Sequence, residues 1–88
     1  MFPVAVLLPE LAHEEDSVLE ALGQKSATSA SVEHVFVSPK AEDLVALFWM
    51  TGHLTAGTAI HTARSIVTDA LPEWMTRSLR VDLLDRPG

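Results

Sequence analysis

The sequence contains no cysteine. This absence excludes disulfide bonds, thiolate-held zinc, iron–sulfur clusters and a thiol nucleophile, and it gives no support for a secreted, disulfide-bonded scaffold. Basic residues are scarce too, with 6 lysines and arginines against 12 aspartates and glutamates, and a formal net charge of −6. Proteins bind phosphate backbones and anionic lipid surfaces through clustered lysine and arginine. We therefore expect no nucleic-acid partner and no membrane partner.

Long hydrophobic runs are also missing. No apolar run approaches the roughly 20 residues that a membrane-spanning helix needs. The apolar segment at residues 2–8 resembles a signal peptide only superficially, because no basic region precedes it and acidic residues follow it closely. The expectation is a soluble cytoplasmic protein.

The chain is short but rich in apolar residues. Its 88 residues make one domain, residues 1–88. A domain of this size buries only about 60–65% of the surface that its unfolded chain exposes. Apolar residues nevertheless make up 48% of the sequence, so part of that apolar surface is expected to meet a partner or a ligand. A homodimer is the simplest such assembly.

Four segments have the patterns of β-strands. Residues 2–8 and 44–50 are apolar on both faces, which is typical of strands in the middle of a sheet. Residues 32–37 are rich in valine, and residues 79–83 alternate between apolar and polar side chains. Residues 38–43, which join the second strand to the third, are predicted to form a hairpin loop.

Two segments have the patterns of helices. Residues 12–23 begin with acidic residues and end at Gly23, which stands where a C-terminal cap is expected. Residues 55–70 carry an alanine-rich apolar stripe, and Pro72 should end that helix. A rival interpretation joins residues 44–70 into one long helix, but Gly52 and the adjacent Phe48 and Trp49 oppose it.

The resulting order is β-α-β-β-α-β. It predicts an α+β, ferredoxin-like fold, with a four-stranded antiparallel sheet, two helices on one face, and the first and third strands in the centre. Alternation within the second strand separates Val32, His34 and Phe36 from Glu33, Val35 and Val37. Arg80 and Asp82 are predicted on the face that the helices leave open.

That open face is the predicted binding surface. It receives large apolar groups beside charged ones, and we assign ligand binding to Phe36, Trp49, Arg80 and Asp82. Two such sheets packed back to back would form a dimer with a cavity between them. For the tryptophans, Trp49 and Trp74, core and capping positions are the alternative to ligand stacking.

Histidines are the candidate acid–base residues. His34 could meet Arg80 or Asp82 across the sheet, and His53 lies in a turn after the third strand. An interface histidine and a simple turn residue are the competing interpretations. His13 precedes three acidic residues, but acids are favoured at a helix N-terminus in any case, so no metal site is predicted. His61 and Arg64 are expected on a solvated helix face.

The C-terminal part of the chain resembles small actinobacterial proteins of ferredoxin-like pattern. The segments that carry the resemblance are residues 33–37, residues 44–50 and the alanine-rich helix, which ends at residues 70–74. Most of these are uncharacterised, and some lie near natural-product genes. The resemblance covers the chain from residue 33 onward and carries no catalytic residue. It implies an accessory role in bacterial biosynthesis.

Other groups with this topology fit less well. An RNA-recognition motif carries basic residues on its third strand, and this third strand has none. Metal-carrying ferredoxin-like domains need a Cys-x-x-Cys motif, which is absent. Acylphosphatases need an arginine in the loop after the first strand, and this loop has none. Dimeric α+β barrel monooxygenases and isomerases remain compatible. Three hypotheses stay open: a cofactor-free binding protein for a small apolar or peptide ligand, a cofactor-free enzyme such as an isomerase, cyclase or peptide cross-linking enzyme using His34 or His53, and a structural partner-binding module.

Overall fold

The computed structural model describes residues 2–51 and 55–83. Within them lie four strands, three helices and one turn of 3-10 helix. In chain order the elements are β1 (Phe2–Leu8), the 3-10 turn (Ala12–Glu14), α1 (Glu15–Ser26), β2 (Val32–Lys40), β3 (Asp43–Met50), α2 (Ala56–Ala70), α3 (Glu73–Thr76) and β4 (Arg80–Leu83). The rival interpretation of one helix across residues 44–70 is wrong, because this stretch begins as β3.

The four strands form one antiparallel sheet in the order β2-β3-β1-β4. The two strands that are apolar on both faces, β1 and β3, lie in the centre, as the sequence predicted. Each central strand is hydrogen-bonded to another strand on both of its sides, so its side chains have neighbours from two adjacent strands. The α+β class with a four-stranded antiparallel sheet is thereby confirmed.

The hydrophobic core lies on one face of this sheet. Alternate residues of the central strands are buried there, namely Val4, Val6, Leu8, Leu44, Ala46, Phe48 and Met50. On the same face α1 packs against β2, and α2 packs against β1 and β4. The helix residues that join this core are Val18, Leu22, Ala59, Ala63, Ile66 and Val67. Both long helices therefore cover one side of the sheet.

The β2–β3 hairpin is tighter than the sequence suggested. The predicted loop at residues 38–43 is mostly strand, because the ladder continues until Lys40 pairs with Asp43. Only Ala41 and Glu42 remain in the turn, and Ala41 has a positive φ of 57°. Pro39 fits within β2 because that strand is an edge, where a residue without an N–H is tolerated.

The helix boundaries follow local hydrogen bonds. The first helix does not end at Gly23 but continues to Ser26, and the N–H of Ala27 bonds to the carbonyl of Gly23 at 3.1 Å. α2 begins after Thr55, whose hydroxyl accepts a bond from the N–H of Thr58 at 3.1 Å. It ends at Ala70, two residues before Pro72, as predicted.

A β-bulge changes the expected face of one residue. The β2–β3 register shifts between Val32 and His34, so that Val32 pairs with the buried Met50 and His34 pairs with Trp49. Simple alternation predicted that Val32 shares a face of the sheet with His34 and Phe36, and this prediction is wrong. The extra residue of the bulge, Glu33, returns Val32 to the core side, where it packs against the core cluster.

Candidate functional site on the open sheet face

The face of the sheet away from α1 and α2, called the open face below, is built from cross-strand rows. One row runs from Asp82 through Ala5 and Leu47 to Phe36, and the next runs from Arg80 through Leu7 and Val45 to Ser38. A third row joins Pro3, Trp49 and His34. Residues in one row point to the same side of a sheet, so these residues share a single surface.

The open face contains a shallow groove of about 560 Å³. Its lining is mainly apolar and comes from β1, β2 and β3: Ala5, Leu7, Phe36, Pro39, Val45 and Leu47. Ser38, Lys40 and Asp82 supply the polar part. Two smaller depressions, of about 280 and 300 Å³, border α1 near its C-terminal end and are lined largely by small and polar residues. The groove on the open face is therefore the stronger candidate for an apolar ligand.

The charged residues of the groove stand at opposite sides. Lys40 is the last residue of β2, which forms one edge of the sheet, whereas Asp82 belongs to β4 at the other edge. Strands lie about 4.8 Å apart, so roughly 14 Å of mostly apolar surface separates the two edges. A bound molecule could meet a cation at one end and an anion at the other.

Phe36 is an exposed aromatic residue of the open face, with 54% of its surface accessible. Its ring centroid lies 5.9 Å from that of His34, with a tilt of 40° between the ring planes. Across the ladder it pairs with Leu47, which is partly buried. A phenylalanine in this position leaves about half of its apolar surface without cover, which favours an interaction surface.

The tryptophans differ from each other. Trp49 is partly buried on the open face, between Pro3 on β1 and His34 on β2. Trp74 lies in α3 and is 57% exposed. Trp74 is therefore not a core residue, because the short helix α3 buries Met75 and leaves Trp74 exposed.

The expected contact between His34 and the charges of β4 is also wrong. His34 is exposed on β2, and Arg80 and Asp82 are exposed on β4, so the full width of the sheet separates them. His34 and Asp82 both lie on the open face, but the strand order places them at opposite edges of the sheet. The structure brings Trp49 and Phe36 beside His34 instead. The other candidate histidine, His53, lies outside the described residues.

The remaining polar candidates lie on the surface. Nε2 of His13 is 3.5 Å from Oε1 of Glu14, and the His13 side chain is largely exposed. His61 and Arg64 are exposed on α2, in agreement with a solvated helix face. Among residues 2–51 and 55–83, no group of three His, Asp or Glu side chains is arranged to hold a metal ion. None of the helices in these ranges combines the length and apolar character that a bilayer crossing requires.

Sequence reasoning identified part of the groove. Phe36 and Asp82 were predicted as ligand-binding residues, and both line it. Arg80 and Trp49 lie on the same face, opposite Leu7 and Pro3 respectively. Lys40 was missed because it was assigned to the hairpin loop. Alternation along residues 45–49 was the signal that could have identified Val45 beside Leu47.

Comparisons with protein-family models, with curated proteins and with solved structures found no match to this chain. The site must therefore be interpreted from its own geometry.

Proposed function

We propose that this protein is a cofactor-free, homodimeric, ferredoxin-like binding protein that holds a small apolar or peptide ligand in the groove of its open face. The ferredoxin-like part rests on the β-α-β-β-α-β order, on the central positions of β1 and β3, and on the two long helices sharing one face. The short α3 and the 3-10 turn are additions to that pattern. An accessory role in biosynthesis is proposed from the resemblance alone.

The observation that carries the ligand proposal is the groove itself. Apolar side chains from three strands form its floor, and Lys40 and Asp82 provide one charge of each sign at its sides. An apolar floor releases water when an aliphatic or aromatic group covers it, and charges at the rim orient a polar end. A short peptide with an apolar side chain, or an amphipathic metabolite, has matching chemistry.

The test uses the two tryptophans. Replacing the exposed Trp74 by Phe leaves Trp49 as the only tryptophan, so its fluorescence reports on the open face. The Trp74→Phe protein is titrated with n-alkanols from hexanol to decanol. Each added methylene should strengthen binding by about fourfold, because it contributes about 0.8 kcal/mol of apolar burial.

Matched leucine variants locate the site. Leu47→Ser removes an apolar side chain from the groove and should weaken decanol binding by about tenfold or more, equivalent to about 1.4 kcal/mol. Leu19→Ser removes an exposed leucine from α1, on the other side of the sheet, and should leave binding unchanged. Equal effects of the two variants, or no dependence on chain length, would contradict the ligand proposal.

The enzyme and partner-module alternatives give different results in the same assay. His34 lies next to Phe36 and Trp49, so a catalytic role would place the reacting group at that end of the open face. Replacing His34 by Ala should then abolish turnover of a bound substrate while preserving its binding. A partner-binding module, whose open face need not enclose a small molecule, should bind the alkanols too weakly to saturate the Trp49 signal.

A further inference from the structure

The outer edge of β2 is long and free of described neighbours. β2 spans nine residues, Val32–Lys40, whereas the other edge strand, β4, spans four. Among the described residues no strand lies beyond β2. Proteins normally protect such edges with short strands, bulges, charges or prolines, because unpaired N–H and carbonyl groups otherwise pair with another chain. Here the bulge at Glu33 and the proline at Pro39 lie toward the ends, which leaves Val35, Phe36 and Val37 unprotected between them.

The hairpin geometry identifies which backbone groups point outward. Lys40 and Asp43 flank a two-residue turn, so they form a hydrogen-bonded pair of the ladder. Hydrogen-bonded and non-hydrogen-bonded pairs alternate in an antiparallel ladder. Counting back from Lys40, Ser38 and Phe36 bond to β3, whereas Val37 and Val35 direct their N–H and carbonyl groups away from it. Pro39, which has no N–H to offer, also falls on an outward position.

The flank of α1 beside β2 is apolar and small. Leu19, Gly23 and Ala27 follow one another at four-residue spacing, so they lie along one side of the helix. Leu19 is 41% exposed, a Cβ added at Gly23 would meet nothing within 4 Å, and Ala27 is exposed. Gly23 and Ala27 share the depression of about 300 Å³ with Val32 and Val35 of β2. Strand edge and helix flank thus form one continuous surface.

We propose that this surface is the homodimer interface, with β2 of one copy pairing antiparallel with β2 of a second copy across a two-fold axis at Phe36. In this register Val35 of each copy faces Val37 of the other, and the outward backbone groups of both residues form hydrogen bonds. Because paired residues share a face, the alternation of the sheet is preserved. The inference rests on the homodimer in the proposed function and assigns its contact to an edge rather than to the open face.

The occupant is a second copy because the surface is self-complementary. A two-fold axis at Phe36 brings the outward N–H and carbonyl groups of Val35 in each copy opposite those of Val37 in the other, so the same hydrogen bonds form on both sides of the axis. The same axis places the two α1 flanks side by side, where Gly23 and Ala27 permit close approach and Leu19 gains cover. The two open faces become one eight-stranded surface. Each Phe36 then borders the groove of its partner as well as its own, and the grooves stay accessible to ligand.

Engineered cysteines test this arrangement, since the chain has none of its own. At the axis, Phe36→Cys places two sulfur-bearing residues in a non-hydrogen-bonded pair, with Cα atoms about 4.5 Å apart, within the range of a disulfide. Mild oxidation should convert most of the protein to a covalent dimer. Ala5→Cys, in the centre of the open face, and Trp74→Cys, on α3, should remain largely monomeric under denaturing conditions. Efficient cross-linking of Ala5→Cys would show back-to-back packing and overturn the proposal.

Amide hydrogen exchange gives an independent readout on the unmodified chain. The Phe36 and Ser38 amides, bonded to β3, should be protected at every protein concentration. The Val35 and Val37 amides should gain protection of at least tenfold only at concentrations where sedimentation finds twice the chain mass of 9.6 kDa. A monomer at all concentrations, or a dimer in which these two amides exchange freely, would overturn the proposal.

Charge substitutions separate this inference from the ligand proposal. Leu19→Glu places like charges between the α1 flanks and should weaken dimerisation at least tenfold, whereas Trp74→Glu, at another exposed large apolar residue, should not. Alkanol titration of Leu19→Glu should still show the chain-length series, because Leu19 lies on the helix side of the sheet. If Leu19→Glu dimerises as tightly as the unsubstituted chain, the edge contact is refuted. If the unsubstituted dimer shows no dependence of alkanol binding on chain length, the ligand site alone is refuted.

Discussion

The backbone N–H of Glu10 donates a hydrogen bond to Oδ1 of Asp43 at 2.9 Å, across 33 positions of sequence. It connects the loop after β1 to the first residue of β3. A backbone bond from the N–H of Ala12 to the carbonyl of Glu42, at 3.1 Å, reinforces the same junction. Glu10 has a positive φ of 61°, so the turn holds an unfavourable backbone conformation in place.

Removing the Asp43 carboxylate should therefore destabilise the fold. Asp43→Ala replaces the carboxylate acceptor of the exposed Glu10 N–H by water and should lower the free energy of unfolding by about 0.5–1.5 kcal/mol, while Asp43→Asn, which keeps an oxygen acceptor, should lose less. Urea unfolding measures the difference. Glu42→Ala is the control, because Glu42 accepts through its backbone carbonyl; an equal loss in this variant would argue against the side-chain bond.

The hairpin turn offers a stabilising substitution. Ala41 adopts a φ of 57°, which glycine tolerates better than alanine. Ala41→Gly should raise the free energy of unfolding by up to about 1 kcal/mol, since relief of this strain exceeds the extra entropy of glycine in the unfolded chain. Ala30→Gly, at an exposed residue with ordinary φ, should be neutral or destabilising. Thermal unfolding of both variants checks the sign; a lower midpoint for Ala41→Gly would contradict the strain argument.

Ser26 presents a buried hydroxyl with no hydrogen-bond partner among the described residues. Ser26→Ala removes that unpaired group with little change in volume and should stabilise the protein by about 1 kcal/mol. Ser17→Ala, at an exposed position in the same helix, shares the gain in helix propensity but has no buried hydroxyl to remove. Urea unfolding should show a larger gain for Ser26→Ala. Equal gains in the two variants would indicate that helix propensity alone accounts for the effect of Ser26→Ala.

Two phenylalanines distinguish core from surface. Phe48 is fully buried on β3, whereas Phe36 on the adjacent β2 is 54% exposed. Phe48→Ala should cost about 3–5 kcal/mol, because it leaves a cavity in the core. Phe36→Ala should change the stability of the isolated chain by about 0.5 kcal/mol or less in either direction. Unfolding at low protein concentration, where association is minimal, provides the comparison. A large loss in Phe36→Ala would mean that its ring supports the fold of the single chain.

Local patterns predicted the elements better than their ends. The bounds of β1 were predicted correctly because Pro3 and Pro9 punctuate an apolar run. The end of α1 was misplaced, because Gly23 is tolerated inside a helix whose last residue, Ser26, is buried. The strands of the hairpin were predicted too short, since the composition of residues 38–43 resembles a loop although the ladder continues through them. No local signal marked the bulge at Glu33.

The candidate site divides in the same way. Alternation correctly placed Arg80 and Asp82 on the open face, because side-chain direction in a strand has a period of two. It also grouped Phe36 with His34 and Trp49 with Leu47, but it did not decide which side of β3 faces the helices. The predicted meeting of His34 with the charges of β4 failed, because lateral distance within a sheet depends on strand order. Lys40 and Asp82 likewise lie in one groove only because β3 and β1 stand between their strands, and the order of the strands is not visible in any local pattern.

The sequence alone therefore determined the types of the main elements, the central positions of the two most apolar strands and, except at the bulge beside Val32, which side chains of a strand share a face. These properties follow from periodicity and from the cost of exposing apolar strands to water. The tertiary structure decided which edge each strand occupies, how far His34 lies from Asp82, and that β2 presents a long free edge beside the Leu19 flank of α1. Those relations depend on contacts between segments distant in the chain, which no local pattern encodes.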